Sequence, residues 1–147
     1  MKIMTVENEQ HYQDALKVRK TVFVEEQKVP MELEVDEYEK DATHIVAYEN
    51  DKPVGAGRFR VKNGAAKVER ICVLKEMRGH HVGLEIMKKI EALATSKGLT
   101  TLVLHAQTHA QSFYEKLGYQ VTSGLFYDAG IPHVEMEKSI KNATTTA

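Results

Sequence analysis

The stretch Val73-Leu74-Lys75-Glu76-Met77-Arg78-Gly79-His80-His81-Val82-Gly83 constrains this chain most. The apolar run before it reads as a strand, and Gly79 and Gly83 bracket a tight turn. After it, Leu84, Met87, Ile90, Leu93 and Ala94 recur at helical spacing, while Glu85, Lys88, Lys89 and Glu91 fill the opposite face. The helix closes at Lys97-Gly98, with glycine in its usual position past the end. Thr101–His105 is again apolar. Residues 66–74, 83–97 and 101–105 therefore predict a βαβ unit with a parallel strand pair. The start of its helix offers free N–H groups and the positive end of the helix dipole, a seat for phosphate. The turn ends without the Lys-Ser/Thr of the nucleotide P-loop and is not GxGxxG, so it points to another kind of phosphorylated ligand.

Around this unit the chain predicts a strand at 3–7, a helix at 11–23, and a non-periodic acidic loop at 29–41 that contains Pro30. Strands at 44–49 and 54–61 follow, joined by the turn Asn50-Asp51-Lys52-Pro53. Asn63-Gly64 turns the chain into strand 66–74, completing an antiparallel meander. A helix at 110–117, closed by Gly118, and strands at 119–122 and 133–137 end the pattern. The fold class is α/β, with a mixed, mostly antiparallel sheet. With 147 residues and no repeat or linker, residues 1–140 read as one domain and 141–147 as a small, polar tail. The net charge of −1 disfavours a nucleic-acid binder, and no apolar run approaches the ~20 residues of a membrane span. Cys72 is the only cysteine, and acidic Glu7 interrupts the N-terminus too early for a secretory signal. Both features predict a cytoplasmic protein.

The turn Arg78-Gly79-His80-His81-Val82-Gly83 resembles the Q/R-x-x-G-x-G/A motif of the GNAT N-acetyltransferase superfamily, with His81 where glycine is usual. Ala110-Gln111-Ser112-Phe113-Tyr114-Glu115-Lys116-Leu117-Gly118-Tyr119 is similar to that family's A–FYeklGF segment. Val22-Phe23-Val24-Glu25-Glu26-Gln27-Lys28-Val29-Pro30, followed by Asp36, Asp41 and His44, resembles the ElaA-like group. The likeness spans residues 12–137. It implies a sheet splayed for coenzyme A and acetyl-CoA as co-substrate, with no metal. The diphosphate would lie on the backbone of Arg78, Gly79, His80, His81, Val82 and Gly83. The pantetheine amides would pair like an added strand with Ile71, Cys72 and Val73, near Gln107. Family members often dimerise, which makes a homodimer compatible with the resemblance.

By the same resemblance, the Tyr114 hydroxyl faces the coenzyme sulfur and protonates the departing thiolate. On a short helix, Phe113-Tyr114 also reads as simple packing. Transfer to an amine requires a neutral amine. A lysine-like group, with pKa ~10.4, is neutral in roughly one molecule in a few thousand at pH 7, a deficit of about 4–5 kcal/mol that suits a general base. Glu69 is the first candidate, directly or through water, and pairing with Arg70 is the structural alternative. Glu26 and His105 are further candidates on the substrate side. The acids between Glu25 and Asp41 outnumber Lys28 and Lys40, and a negative mouth built from them would favour a cationic amine or a peptide amine. His80-His81 lacks a third ligand with suitable spacing, and Cys72, between Ile71 and Val73, reads as packed within the sheet.

These readings converge on direct acetyl transfer to a primary amine of a small molecule or peptide. An acyl-homoserine lactone synthase also places a VF–E helix before acidic loop residues, but it usually carries tryptophans there and this chain has none. A non-catalytic acyl-CoA sensor would keep the phosphate turn and dispense with Tyr114.

Overall fold

The computed structural model describes residues 1–140; the tail expected at 141–147 lies outside the described residues. Strand β1 (Lys2–Thr5) leads to α1 (Glu9–Arg19), α2 (Met31–Glu34) and the meander β2 (Thr43–Glu49), β3 (Lys52–Lys62) and β4 (Ala65–Val73). Helix α3 (Val82–Ser96) crosses to β5 (Thr101–Gln107). Helix α4 (Gln111–Lys116) and strands β6 (Gln120–Val121), β7 (Phe126–Asp128) and β8 (Ile131–Ser139) complete the chain. The sheet runs β1-β2-β3-β4-β5-β8-β6, with β7 also on β8; β4 and β5 are parallel and the other pairs antiparallel.

Alternation along β3 assigns the two faces. Gly55 and Gly57 point toward α3, and Arg58 points toward α1 and α2. A Cβ on Gly55 would stand 2.8 Å from Val82 Cγ1, and one on Gly57 would stand 2.5 Å from Ile71 Cδ1. The bare backbone lets α3 press its buried Val82, Ile86 and Ile90 onto the sheet. The other face receives α1, capped by the Asn8 side chain, which accepts from the His11 N–H at 2.8 Å.

Three expectations needed adjustment. The first helix does not stop at Phe23: it continues as a π-helix over Lys20–Glu26. The wider turn carries Glu26 and Gln27 to partners in the β4–β5 region, Arg78 and Gln107. The 29–41 loop contains α2, whose backbone carbonyls are gripped by Arg70. Strand β7 was not expected, because a three-residue strand with a single partner leaves almost no periodic trace.

Candidate active site

Strands β4 and β5 pair only at Ala66–Leu102, Lys67–Val103 and Val68–Leu104, although both run further. The reason lies in β4. Its register against β3 jumps from Arg58–Glu69 to Ala56–Cys72, which leaves Arg70 and Ile71 opposite Gly57. Arg70 takes the left-handed conformation (φ 62°), held by hydrogen bonds to the Leu33 and Glu34 carbonyls. Such a bulge bends the strand and adds twist, so β4 swings away from β5. The two strands become a fork whose inner edges, 69–73 and 105–107, no longer pair with each other. A cavity of about 220 Å³ opens beside it, lined by Lys67, Glu69, Ile71, His105, Gln107 and Tyr114 among others.

At the tip of β4 the chain makes its phosphate-type turn. The N–H groups of Gly79, His81, Val82, Gly83 and Leu84 donate to no backbone or side-chain acceptor among the described residues. His81 caps α3 in the left-handed region (φ 65°, ψ 15°), a conformation histidine adopts more readily than most residues. The departure from the usual glycine therefore preserves the backbone path. Gly83 sits 3.3 Å, measured from an added Cβ, from the Phe113 ring, so the helix start and α4 approach closely. Five free donors at a helix start fit a diphosphate, and the unpaired β4 edge fits the amide-bearing arm of coenzyme A. The Arg78 side chain is otherwise engaged. It makes two 2.7 Å bonds to Glu26 and donates to the Val73 carbonyl at 3.1 Å.

Tyr114 lies at the base of the fork, 8% exposed, edge-on to Phe113 and Tyr119. Desolvation pushes its phenol pKa well above the ordinary value, so the hydroxyl keeps its proton. The same burial pushes the Cys72 thiol up to about 12, the reverse of what a nucleophile needs.

The chain matches the family model described as an acetyltransferase (GNAT) domain over residues 6–140. It belongs to the GNAT acetyltransferase family. N-acetyltransferase YjcF of Bacillus subtilis (strain 168), itself uncharacterized, is 52% identical over 139 residues, covering 94% of this chain and 99% of the relative. Protein ElaA of Escherichia coli (strain K12) is 29% identical over 133 residues, 87% of each. The ElaA crystal structure matches with a TM-score of 0.81 over 94% of this chain and 99% of that one. A crystal structure of aminoglycoside 6′-N-acetyltransferase complexed with coenzyme A shares the fold, with a TM-score of 0.77 at 17% identity over 97% and 98% of the two chains.

The face of this GNAT domain under α1 and α2 is built from charge pairs. Arg58, fully buried, bonds Asp36 (2.8 and 2.9 Å), Glu39 (2.7 Å) and Glu69 (3.0 and 3.2 Å). Arg60 also holds Glu69, at 3.0 and 3.4 Å, while Arg19 and Arg70 share Glu34. Burial pushes the carboxyls of Asp36, Glu39 and Glu69 up, but the arginines more than offset it and hold all three below the usual range. Arg70 is therefore not the residue that occupies Glu69; Arg58 and Arg60 are. Part of the acidic loop is withdrawn from the expected negative mouth. Glu34 is 2% exposed and, with Asp36 and Glu39, is consumed by internal arginines. Glu26 is paired with Arg78 and does not line the cavity.

His105 does line it, with Nε2 3.3 Å from Glu135 and its ring edge-on to Phe126. Desolvation and nearby Lys67 lower its pKa. Gln107 bridges Gln27 at 2.7 Å and His109 at 2.6 Å. The sequence reading passed over Arg58, Arg60 and Lys67. Their signal was charge alternating with apolar residues, Arg58-Phe59-Arg60 and Lys67-Val68-Glu69, which puts a charged row on one face of adjoining strands. Among the described residues no three His, Cys, Asp or Glu side chains are grouped to hold a metal ion, and no helix is long and apolar enough to cross a membrane.

Proposed function

We propose that this acyltransferase moves the acetyl group of acetyl-CoA directly to a primary amine held in the cavity beside the β4–β5 fork. The observation that carries this reading is an unpaired strand edge and a protonated phenol on one cavity, with free turn donors following the tip of the same strand. The coenzyme supplies an acetyl group activated as a thioester. The backbone of 79–84 holds its diphosphate, and that of 71–73, with Gln107 beside it, aligns its pantetheine arm. A β4 N–H placed at the thioester carbonyl oxygen stabilises negative charge as it develops there.

Tyr114 donates its proton to the departing sulfur. A phenol with a raised pKa is a weak acid in water, but the site that desolvates it desolvates a thiolate too, as the neighbouring Cys72 illustrates. Transfer is direct because that buried, protonated thiol makes a poor acyl carrier. With two arginines on it, Glu69 is a poor direct base. Its part is to anchor water that carries the amine's proton outward.

Tyr114→Phe tests this assignment. The expected outcome is a fall of about a hundredfold in kcat for acetyl transfer, with coenzyme affinity changed less than about threefold. An unchanged kcat removes Tyr114 from the chemistry. Coenzyme binding by calorimetry with no thiol release across a panel of amines would favour a sensor instead.

A further inference from the structure

Lys67 is the one charge on the cavity floor that the network leaves out. It is 7% exposed, and it lines both the acceptor cavity and the adjoining groove that runs toward the Lys62-Asn63-Gly64 turn. Among the described residues it makes no hydrogen bond and no ion pair. Of the nearby carboxylates Glu69 and Glu135 are committed, while Glu137, which lines the adjoining groove, is exposed to water and makes no ion pair with Lys67. Glu69, two residues along the same strand, is held by Arg58 and Arg60. Glu135 on β8 is held by Thr122 at 3.0 Å and by His105. Arg60 and Lys62 on β3 and His105 on β5 add only positive or neutral neighbours. Asp128, at the mouth, is exposed to water.

We propose that the acceptor is an amine that also carries a carboxylate or similar small anion, and that Lys67 binds this anionic group. The proposal rests on the cavity being the acceptor seat. An ammonium on a largely buried side chain with no paired carboxylate is poorly compensated, because only the water of the cavity is left to solvate it. The protein would gain by replacing Lys67 with an apolar residue unless a ligand supplies the missing charge. Desolvation lowers the Lys67 pKa to about 8, so the group stays mostly protonated at pH 7, ready for an anion. The sign is opposite to the one the acidic loop suggests, because Glu34, the one loop acid that lines the cavity, is neutralised by arginines and this lysine is unpaired.

The test compares four amines of similar length as acceptors: γ-aminobutyrate, its amide, n-butylamine and aminopropylphosphonate. It uses the full chain and its Lys67→Met and Lys67→Arg variants. The expected result is kcat/KM at least about tenfold higher for γ-aminobutyrate than for its amide, carried mainly by KM. In Lys67→Met the ratio falls to within about twofold, and Lys67→Arg restores most of it. The phosphonate arm separates a carboxylate seat from a phosphate seat. A melting temperature for Lys67→Met at or above the parent's establishes that it folds. Equal rates on γ-aminobutyrate and its amide, or a preference that survives Lys67→Met, overturn the proposal.

A second readout does not require turnover. Calorimetry with N-acetyl-γ-aminobutyrate at pH 8, on coenzyme-loaded protein in two buffers of different ionisation enthalpy, should register uptake of a fraction of a proton. That uptake should vanish in Lys67→Met. Uptake with no amine acetylated keeps the anion seat and discards the transferase reading. Amines acetylated without preference or uptake do the reverse, and neither effect discards both.

Discussion

On the α3 side of the fork, the N–H groups of Gly79, His81, Val82, Gly83 and Leu84 are free, and the side chains there are small or apolar apart from the two histidines. On the α1 side, Arg19, Arg58, Arg60 and Arg70 are locked to Glu34, Asp36, Glu39 and Glu69, and the backbone is hidden beneath them. One arm offers main chain, the other is built from side chains. A main-chain arrangement needs only a backbone path, so it tolerates His81 where glycine is usual. A side-chain network depends on its partners, so removing one leaves the others less well compensated. The two arms should therefore respond to mutation on different scales.

The largest expected effect is on the charged side. Arg58→Met removes the partner that three carboxylates share, leaving each with one other arginine, and should lower stability by about 3 kcal/mol, a melting shift on the order of 10 °C for a domain of this size. Thermal unfolding at neutral pH checks it, and a shift under ~2 °C would mean that the network contributes little. The pH dependence sharpens the point. Asp36, Glu39 and Glu69 have folded pKa values below their unfolded ones, near ~4. Their contribution is present above that value and is lost as pH falls through the folded pKa values. The deficit of Arg58→Met should thus be widest near pH 7 and narrow below about pH 4, as read from urea midpoints along a pH series.

The same contrast explains what could be read in advance. The βαβ unit was legible because Leu84, Met87, Ile90 and Ala94 carry a helical period and Gly98 a helix end. The turn's place at a helix start was legible because its residues are local in sequence. The charged network was not. Arg58 lies 22 residues from Asp36 in sequence and 11 from Glu69, and only β3–β4 register and the placement of α2 bring them together. A run of acids in sequence carries no sign of whether arginines elsewhere neutralise it. Lys67 escaped notice for the same reason, because its isolation depends on who holds its neighbours. The bulge at Arg70 was equally silent, since nothing about arginine announces a left-handed residue.

On the main-chain side a smaller effect is expected, and it should follow backbone conformation rather than charge. His81→Val places a β-branched residue at φ 65° and should cost about 1–2 kcal/mol, with weaker coenzyme binding as the turn deforms. His81→Gly removes the left-handed penalty in the folded state and adds chain entropy to the unfolded one, so its net change should stay within about 0.5 kcal/mol. Melting of the three proteins side by side checks the order. A His81→Gly loss as large as that of valine would mean that the imidazole itself holds the turn.

The smallest stability effect is expected where the arms meet. Arg78 and Glu26 form a two-bond pair, but their side chains are 42% and 38% exposed, so solvent and salt screen it. Glu26→Gln should therefore change stability by less than about 0.5 kcal/mol. Its consequence for binding should be larger. Arg78 opens the turn proposed to hold the diphosphate, and Glu26 would compete for its guanidinium with any phosphate placed there. Removing the carboxylate should tighten coenzyme A binding about two- to fivefold at low salt, with the gain fading at high salt. Calorimetry at two ionic strengths reads both. Weaker binding at low salt would mean that Glu26 instead braces Arg78 against the Val73 carbonyl, making a side chain part of the scaffold on the arm that otherwise depends on backbone.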